Sequence, residues 1–110
     1  MSKERNVKNG NENENFSILR LIYNSPYITQ RELAKYLGFS LGKLNYCLKS
    51  LHAKGLIKIK NFNKNPKKLN YLYLLTPKGI SAKTKLTVRF MKKKLSEYDE
   101  LKKELEKQKK

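Results

Sequence analysis

The stretch TQRELAKYLGFS, residues 29–40, carries the local signals that decide the fold. Thr29 and Glu32 have the spacing of a capping box, in which each side chain accepts a hydrogen bond from a backbone amide at the start of a helix. Gly38 comes directly after this helix, where a left-handed residue ends it. Ser40 is a favourable N-cap for the next helix. Two helices joined by a short glycine turn predict a helix-turn-helix.

The segments on either side of residues 29–40 extend this motif. Upstream, the apolar residues that begin at Phe16 predict a short helix that stops before Pro26. Downstream, the helix that follows Ser40 ends at Gly55 and turns one apolar face inward. We expect this buried face to consist of Leu41, Leu44, Leu48 and Leu51.

The periodicity changes after Gly55 and predicts a β-hairpin. Residues 56–60 alternate apolar with basic side chains, as a half-exposed strand does. Residues 61–68 contain the turn-forming asparagines and a proline, and residues 69–75 form the predicted return strand. A two-stranded hairpin directly after a helix-turn-helix is a wing, so the sequence predicts a winged helix.

A long final helix follows the wing. Thr76 is its predicted cap, and Pro77 stands at the first helical position, where a missing N–H costs nothing. A helix to Lys109 would be roughly 50 Å long, more than the preceding domain can cover. Its apolar stripe therefore predicts a homodimer joined by the C-terminal helices. The predicted dimerisation residues are Val88, Met91, Leu95, Tyr98, Leu101 and Leu105.

These elements divide the chain into three predicted segments. Residues 1–15 are polar and predict a disordered arm. Residues 16–76 form the predicted winged-helix domain, and residues 77–110 form the predicted dimerisation helix. The fold class is therefore mainly α with a small β-hairpin.

The charge of the chain predicts a polyanionic partner. Its 110 residues include 26 lysines and arginines against 9 aspartates and glutamates, for a net charge of +17. All of the excess lies in residues 16–95, where Glu32 is the one acidic residue. A basic folded region between neutral ends is typical of proteins that bind nucleic acid. We therefore expect double-stranded DNA as the partner.

Two sets of residues are candidates for contacts with DNA. The outward face of the third helix combines lysines, small residues and one tyrosine without an acid, as a recognition helix requires. Its candidates are Ser40, Lys43, Asn45, Tyr46, Lys49 and Ser50. The wing lysines are candidates for contacts with the DNA backbone or minor groove. They are Lys58, Lys60, Lys64, Lys67 and Lys68.

The composition argues against other classes of function. One cysteine and one histidine make neither a disulfide nor a structural zinc site. With a single acid in the basic region, general acid–base catalysis has almost no candidates, so we expect no enzyme, no metal and no cofactor. Cys47 is interpreted as a packing residue, with a redox sensor as the alternative. The longest apolar run, residues 71–75, is too short to span a membrane, and a cytoplasmic protein is expected.

Two alternatives remain at this stage. One is an RNA-associated or ribosome-associated basic protein with the same fold. The other is an adaptor whose long helix pairs with a different chain. Competition between duplex DNA and structured RNA separates the first alternative from a DNA-binding regulator, and sedimentation of the purified protein addresses the second.

The sequence resembles the MarR-type winged-helix transcription regulators in residues 30–38, 48–57 and 75–79. Residues 40–49 together with residues 71–79 are similar to the small MarR subgroup found with exopolysaccharide biosynthesis genes. The resemblance implies a homodimer that binds a pseudo-palindromic operator. Helix three would then enter the major groove and the wing would lie beside it. No residue pattern predicts a small-molecule effector.

The chain departs from larger MarR proteins at two places. No long helix is predicted before Phe16, where those proteins have part of their dimer interface. The predicted wing turn has the sequence NPKK at residues 65–68 instead of the aspartate–arginine pair of the family.

Overall fold

A computed structural model describes residues 12–61 and 71–109 of the chain. Its elements are α1 (Glu12–Asn24), α2 (Gln30–Leu37), α3 (Leu41–Ala53), β1 (Ile57–Asn61), β2 (Tyr71–Leu75) and α4 (Pro77–Gln108). The two strands form an antiparallel sheet. The predicted fold class, mainly α with a small hairpin and a long C-terminal helix, is confirmed. Residues 1–11 of the predicted arm and residues 62–70 of the hairpin lie outside the described residues.

The first helix begins earlier than the sequence predicted. We expected the polar arm to reach residue 15, but α1 starts at Glu12. Glu12 and Glu14 occupy its first turn, where carboxylates interact favourably with the helix dipole. The ring of Phe16 stacks on Phe90 of α4 with centroids 4.9 Å apart. Contacts with a distant part of the chain therefore extend the helix beyond its apolar run.

The predicted caps of the helix-turn-helix are all present. The Thr29 hydroxyl accepts a hydrogen bond from the Glu32 amide at 3.1 Å, and the Glu32 carboxylate accepts one from the Thr29 amide at 2.9 Å. The amide and the hydroxyl of Thr29 both donate to this carboxylate, and these two hydrogen bonds lower the pKa of the Glu32 carboxyl. Gly38 has a φ of 70°, and Ser40 caps α3 by accepting from the Lys43 amide at 3.1 Å. Both ends of the turn are thus fixed by local bonds.

Helices α1 to α3 and the hairpin enclose one apolar core. Its largest fully buried side chains include Ile18 and Leu19 of α1, Leu33 of α2 and Leu51 of α3. The prediction that Leu41 is buried is wrong, because its side chain is 48% exposed. Leu41 lies in the first turn of α3, one turn beyond the buried Leu44. The apolar core therefore reaches Leu44 but does not extend to the first turn of α3.

The first strand of the hairpin differs slightly from its predicted range. β1 begins at Ile57 instead of at residue 56, because the Leu56 backbone has other partners. Its amide donates to the Leu51 carbonyl, and its carbonyl accepts from the Thr76 amide, each at 3.0 Å. In the register of the sheet, Ile59 lies opposite the buried Tyr73. This face of the hairpin packs towards the core.

Helix α4 begins and ends close to its predicted limits. It spans 32 residues, with Thr76 as its N-cap and Lys109 as its C-cap. The part of α4 up to Phe90 packs against the rest of the chain, whereas every residue from Met91 to Lys109 is exposed. In the described ranges, no helix combines the length and apolar character that crossing a membrane requires.

Candidate nucleic-acid interface

The exposed face of α3 has the composition predicted for a recognition helix. Lys43, Tyr46 and Lys49 are exposed on it, and Tyr46 retains 46% of its accessible surface. The small residues Gly42 and Ala53 are exposed as well. Because α3 contains no acidic residue, nothing on this helix repels a phosphate backbone. The caps of the preceding turn hold this face in position.

Lys43 already has two partners within the chain. Its ammonium lies 2.5 Å from a carboxylate oxygen of Glu14 and 4.4 Å from the ring centroid of Phe39. The side chain is nevertheless 46% exposed. A contact between Lys43 and a DNA phosphate would compete with the Glu14 carboxylate, whereas Lys49 has no such carboxylate partner within residues 12–61 and 71–109.

Two of the other predicted contact residues make hydrogen bonds within the domain, and a third is half-buried. Ser40 uses its hydroxyl to cap α3. Asn45 is half-buried, and its side-chain oxygen accepts a hydrogen bond of 2.5 Å from the amide nitrogen of Gln30. Ser50 is half-buried as well. The DNA contacts of all three residues remain predictions. The structure shows bonds within the chain for Ser40 and Asn45.

The role of Gln30 was not found in the sequence. This residue is only 8% exposed and links the start of α2 to the middle of α3. A signal was present, because Gln30 precedes the buried Leu33 and Ala34 by three and four residues on the same helix face. The hydrogen bond from its side-chain amide to Asn45 fixes the position of α2 relative to α3.

The wing presents part of its predicted lysine set. Lys58 and Lys60 are exposed on β1 and lie opposite Leu74 and Leu72 in the sheet. Since side chains alternate along a strand, both lysines project from the face opposite Ile57. The other predicted wing contacts, Lys64, Lys67 and Lys68, lie outside the described residues.

A junction of backbone contacts connects the end of α3 with the start of α4. The Thr76 hydroxyl donates to the Gly55 carbonyl at 2.6 Å and accepts from the Gly79 amide at 2.9 Å. The Lys78 ammonium donates to the Lys54 carbonyl at 3.0 Å. These bonds hold α3 and α4 in a fixed relative position.

The predicted dimerisation residues form an exposed apolar stripe. Between 45% and 66% of each side chain is exposed, and none is covered by the part of the chain that the structure describes. The residues are Val88, Met91, Leu95, Tyr98, Leu101 and Leu105. The structure therefore places them on an unpartnered helix, as a dimerisation surface requires.

The single cysteine is inaccessible. Cys47 is 1% exposed, and burial together with the nearby Glu14 carboxylate raises the pKa of its thiol, against a smaller opposing effect of Lys43. Among residues 12–61 and 71–109, no group of three or more histidines, cysteines and acids is placed to hold a metal ion.

We expect Cys47 to resist thiol reagents in the folded protein. At neutral pH the raised pKa keeps the buried group as an unreactive thiol. Burial of the neutral thiol contributes to the free energy of unfolding below the pKa of the unfolded thiol, near 9.0. This contribution is lost as the pH rises through the higher pKa of the thiol in the folded protein. Labelling with a chromogenic disulfide at neutral pH should be at least about tenfold slower than in urea. Equal rates would contradict the packing role and favour a redox sensor.

Comparison with known proteins shows what part of this chain is similar to. Residues 15–58 match the family model described as winged helix-turn-helix DNA-binding. A comparison with curated protein sequences found no match. The match extends from α1 into β1, so this part of the chain is similar to a winged helix-turn-helix DNA-binding domain.

Solved structures of MarR-type regulators have the same fold. Staphylococcus aureus MarR in complex with salicylate and kanamycin is 22% identical, with a TM-score of 0.68 over 79% of this chain and 57% of that one. Streptococcus pneumoniae FabT in complex with DNA is 23% identical, with a TM-score of 0.62 over 79% and 59%. A variant of S. aureus MepR bound to an oligodeoxyribonucleotide is 25% identical, with a TM-score of 0.64 over 86% and 75%.

The match covers only part of those structures. The chain spans 56% of the PcaV transcriptional regulator from Streptomyces coelicolor and 57% of S. aureus MarR. What these structures share with this chain is the fold, and the exopolysaccharide-associated subgroup remains a prediction from the sequence.

Proposed function

We propose that this protein is a MarR-type transcription regulator that binds a pseudo-palindromic operator in double-stranded DNA as a homodimer. The observation that carries the proposal is the acid-free outward face of α3, where Lys43, Tyr46 and Lys49 are exposed on the recognition helix of a winged-helix fold. Lysines in this position meet phosphates or guanine edges, and a tyrosine contacts a base or phosphate.

The domain around α3 supports the same partner. Between α2 and β2 the acidic residue in the sequence is Glu32, whose carboxylate is used in the capping box. The wing adds Lys58 and Lys60 on an exposed face. In this proposal the tyrosine and lysines of α3 read the major groove, and the wing lysines contact the adjacent backbone.

Self-association follows from the exposed part of α4. The 19 residues from Met91 to Lys109 carry an apolar stripe and have no support from the winged-helix domain. Helices in proteins take most of their stability from the packing of an apolar face, and two such helices would bury the stripe against each other. Two recognition helices about 34 Å apart would read half-sites one helical turn apart.

In this proposal, the two predicted folded segments have different roles. The winged-helix domain predicted over residues 16–76, extended by α1 to Glu12, binds DNA. The segment 77–110 dimerises the protein. Exopolysaccharide biosynthesis genes are the proposed targets, on the strength of the sequence resemblance, and genome-wide mapping of the bound DNA identifies the operator.

Replacing Tyr46 by alanine should lower the ratio of operator affinity to random-DNA affinity about tenfold, because the change removes a groove contact. Lys60→Ala is the matched control. It should weaken binding to both DNAs about equally and reduce the salt slope by about one unit, because a strand lysine contacts phosphate. Gel-shift titration of both variants at several salt concentrations measures these effects.

The same titration contains the outcomes that would contradict the proposal. An unchanged specificity ratio in Tyr46→Ala would mean that α3 is not the recognition helix. Structured RNA that displaces operator DNA at equal concentration would favour the RNA-associated alternative.

A further inference from the structure

We infer that the stripe on α4 pairs with a second copy of the chain in the antiparallel direction. In this arrangement the acidic C-terminal part of each α4 lies along the basic middle of the other, beside α1. The inference rests on the self-association in the proposed function and adds its direction and register.

The charges along α4 have opposite signs in its two halves. Residues 83–94 contain six basic residues and no acid, namely Lys83, Lys85, Arg89, Lys92, Lys93 and Lys94. Residues 97–106 contain five acids and two lysines; the acids are Glu97, Asp99, Glu100, Glu104 and Glu106. Antiparallel helices bring these halves into contact with each other. Parallel helices would place the basic half against its own copy, which is unfavourable.

The stripe has a register that suits antiparallel packing. The core positions of its heptad repeat, residues 88, 91, 95, 98, 102 and 105, are symmetric about a point midway between Leu95 and Tyr98, so that Val88 lies opposite Leu105 of the second copy, while Leu101 lies beside these positions. Lys102, the polar member of the core positions, then faces Met91 of the second copy. In a parallel pair in register, Lys102 would face another Lys102 across the core. The antiparallel register removes this repulsion.

The flank of the stripe shows the same complementarity. Lys85, Lys92, Asp99 and Glu106 are spaced seven residues apart and therefore lie along one edge of the helix. Like edges meet in an antiparallel pair, which places Lys92 against Asp99 of the second copy and Lys85 against Glu106. Two-fold symmetry doubles both contacts. In a parallel pair, Lys92 would lie towards Thr87 of the second copy. One kind of contact between opposite charges would remain, between Lys94 and Asp99.

A groove beside the stripe provides further room for the second copy. It lies between α1 and α4 and has a volume of about 880 Å³. Phe16, Val88 and Met91 supply its apolar lining, while Arg20 and Lys83 are among its basic residues. Because Val88 and Met91 also belong to the stripe, the groove and the stripe form one continuous surface. The C-terminal turns of a second α4, which carry apolar and acidic residues, complement the apolar lining and the basic charge of this surface.

The antiparallel pair also suits DNA binding. The winged-helix domain contacts α4 from the junction at Lys78 and Gly79 to Phe90. The middle of this segment lies about thirteen residues from the symmetry point, so the two domains would be centred about 39 Å apart along the helices. Half-sites one turn apart are separated by about 34–36 Å. Two winged-helix domains centred at this separation would therefore lie at about the spacing of two such half-sites.

Disulfide trapping tests the direction without DNA. In a Cys47→Ala background, chains with Val88→Cys are mixed with chains with Leu105→Cys, and the mixture is oxidised at a protein concentration where sedimentation measures the dimer. We expect a disulfide between the two different chains at least about tenfold in excess of either homodimer. Ser96→Cys, which lies on the opposite side of the helix, controls for random collision. A dominant disulfide between two Leu105→Cys chains, no disulfide at all, or a monomer would overturn the inference.

Charge reversal gives an independent measurement on the uncrosslinked protein. Lys92→Glu should raise the dimer dissociation constant about tenfold, and adding Asp99→Lys to the same chain should restore it to within about threefold. No effect of Lys92→Glu would support the parallel pair and contradict the inference. Gel shifts with the disulfide-trapped dimer test DNA binding separately from the direction of the helices. A trapped antiparallel dimer that does not bind DNA refutes only the proposed function, and a trapped parallel dimer that binds operator DNA refutes only the direction.

Discussion

Replacing Gly79 by alanine is expected to destabilise the winged-helix domain by about 3 kcal/mol. Gly79 is buried in the first turn of α4, where the helix passes directly over the backbone that leaves α3. A methyl group built at this position would overlap the Leu56 carbonyl oxygen and lie 2.9 Å from its carbonyl carbon. The obstacle is backbone, which no side-chain rotation can remove.

The surrounding hydrogen bonds make the contact at Gly79 difficult to relax. The Leu56 carbonyl accepts from the Thr76 amide at 3.0 Å, and the Thr76 hydroxyl is held by Gly55 and Gly79. To accommodate a methyl group, α4 would have to move away from the end of α3 and break these bonds. The same change would tilt the recognition helix relative to α4, so DNA affinity should fall together with stability.

Gly42 provides the matched control for the Gly79 substitution. It is also a helical glycine, but it is exposed on α3, and no atom lies within 4 Å of the place that an alanine methyl group would occupy. Gly42→Ala should therefore stabilise the domain by about 0.5–1 kcal/mol through helix propensity. Urea unfolding followed by circular dichroism measures both variants. An unfolding midpoint for Gly79→Ala equal to that of the unsubstituted protein would refute the close approach of α4 to Leu56.

The features that could be predicted from the sequence depend on nearby residues. The capping box at Thr29 and Glu32, the left-handed Gly38 and the Ser40 cap each require a few consecutive positions, and the structure has all of them. The wing and the long helix after Pro77 were predictable for the same reason. Hydrophobic period and turn chemistry are local properties, so they were sufficient to predict the winged-helix architecture.

The errors arise where distant residues meet. The start of α1 depends on the stacking of Phe16 on Phe90 and on the ion pairs of the first turn with α3 and α4. The exposure of Leu41 depends on where the core ends, which helix periodicity does not encode. The tight approach of Gly79 to Leu56 depends on how α4 crosses the end of α3. Each of these features is a property of the tertiary packing.

The candidate site divides in the same way. Helical periodicity was enough to select the outward face of α3, and the exposure of Tyr46 and Lys49 agrees with it. Periodicity could not reveal that Asn45 would pair with Gln30, or that Lys43 would pair with Glu14. These bonds join α3 to α2 and α1, respectively. They hold α3 in place on the domain, while Tyr46 and Lys49 remain exposed.

Introducing a charge into the apolar stripe should abolish dimerisation and lower operator affinity at least about 100-fold. Leu95 lies near the centre of the stripe, where each helix of a pair must bury its apolar residues. Leu95→Glu would place a carboxylate in this interface, and burying an unpaired charge is strongly unfavourable. A monomer binds one half-site only, so it loses the gain in affinity that comes from linking two binding domains.

The winged-helix domain itself should be unaffected by Leu95→Glu, because the Leu95 side chain is 60% exposed and lies beyond the part of α4 that packs on the domain. Ser96→Glu introduces the same charge on the opposite, exposed side of the helix and should retain both dimer and affinity. Sedimentation velocity and gel-shift titration of the two variants separate the effects of position and charge. A dimeric Leu95→Glu protein with unchanged operator affinity would show that the two copies associate through a surface other than α4, and it would remove the physical basis for reading two half-sites with one pair of C-terminal helices.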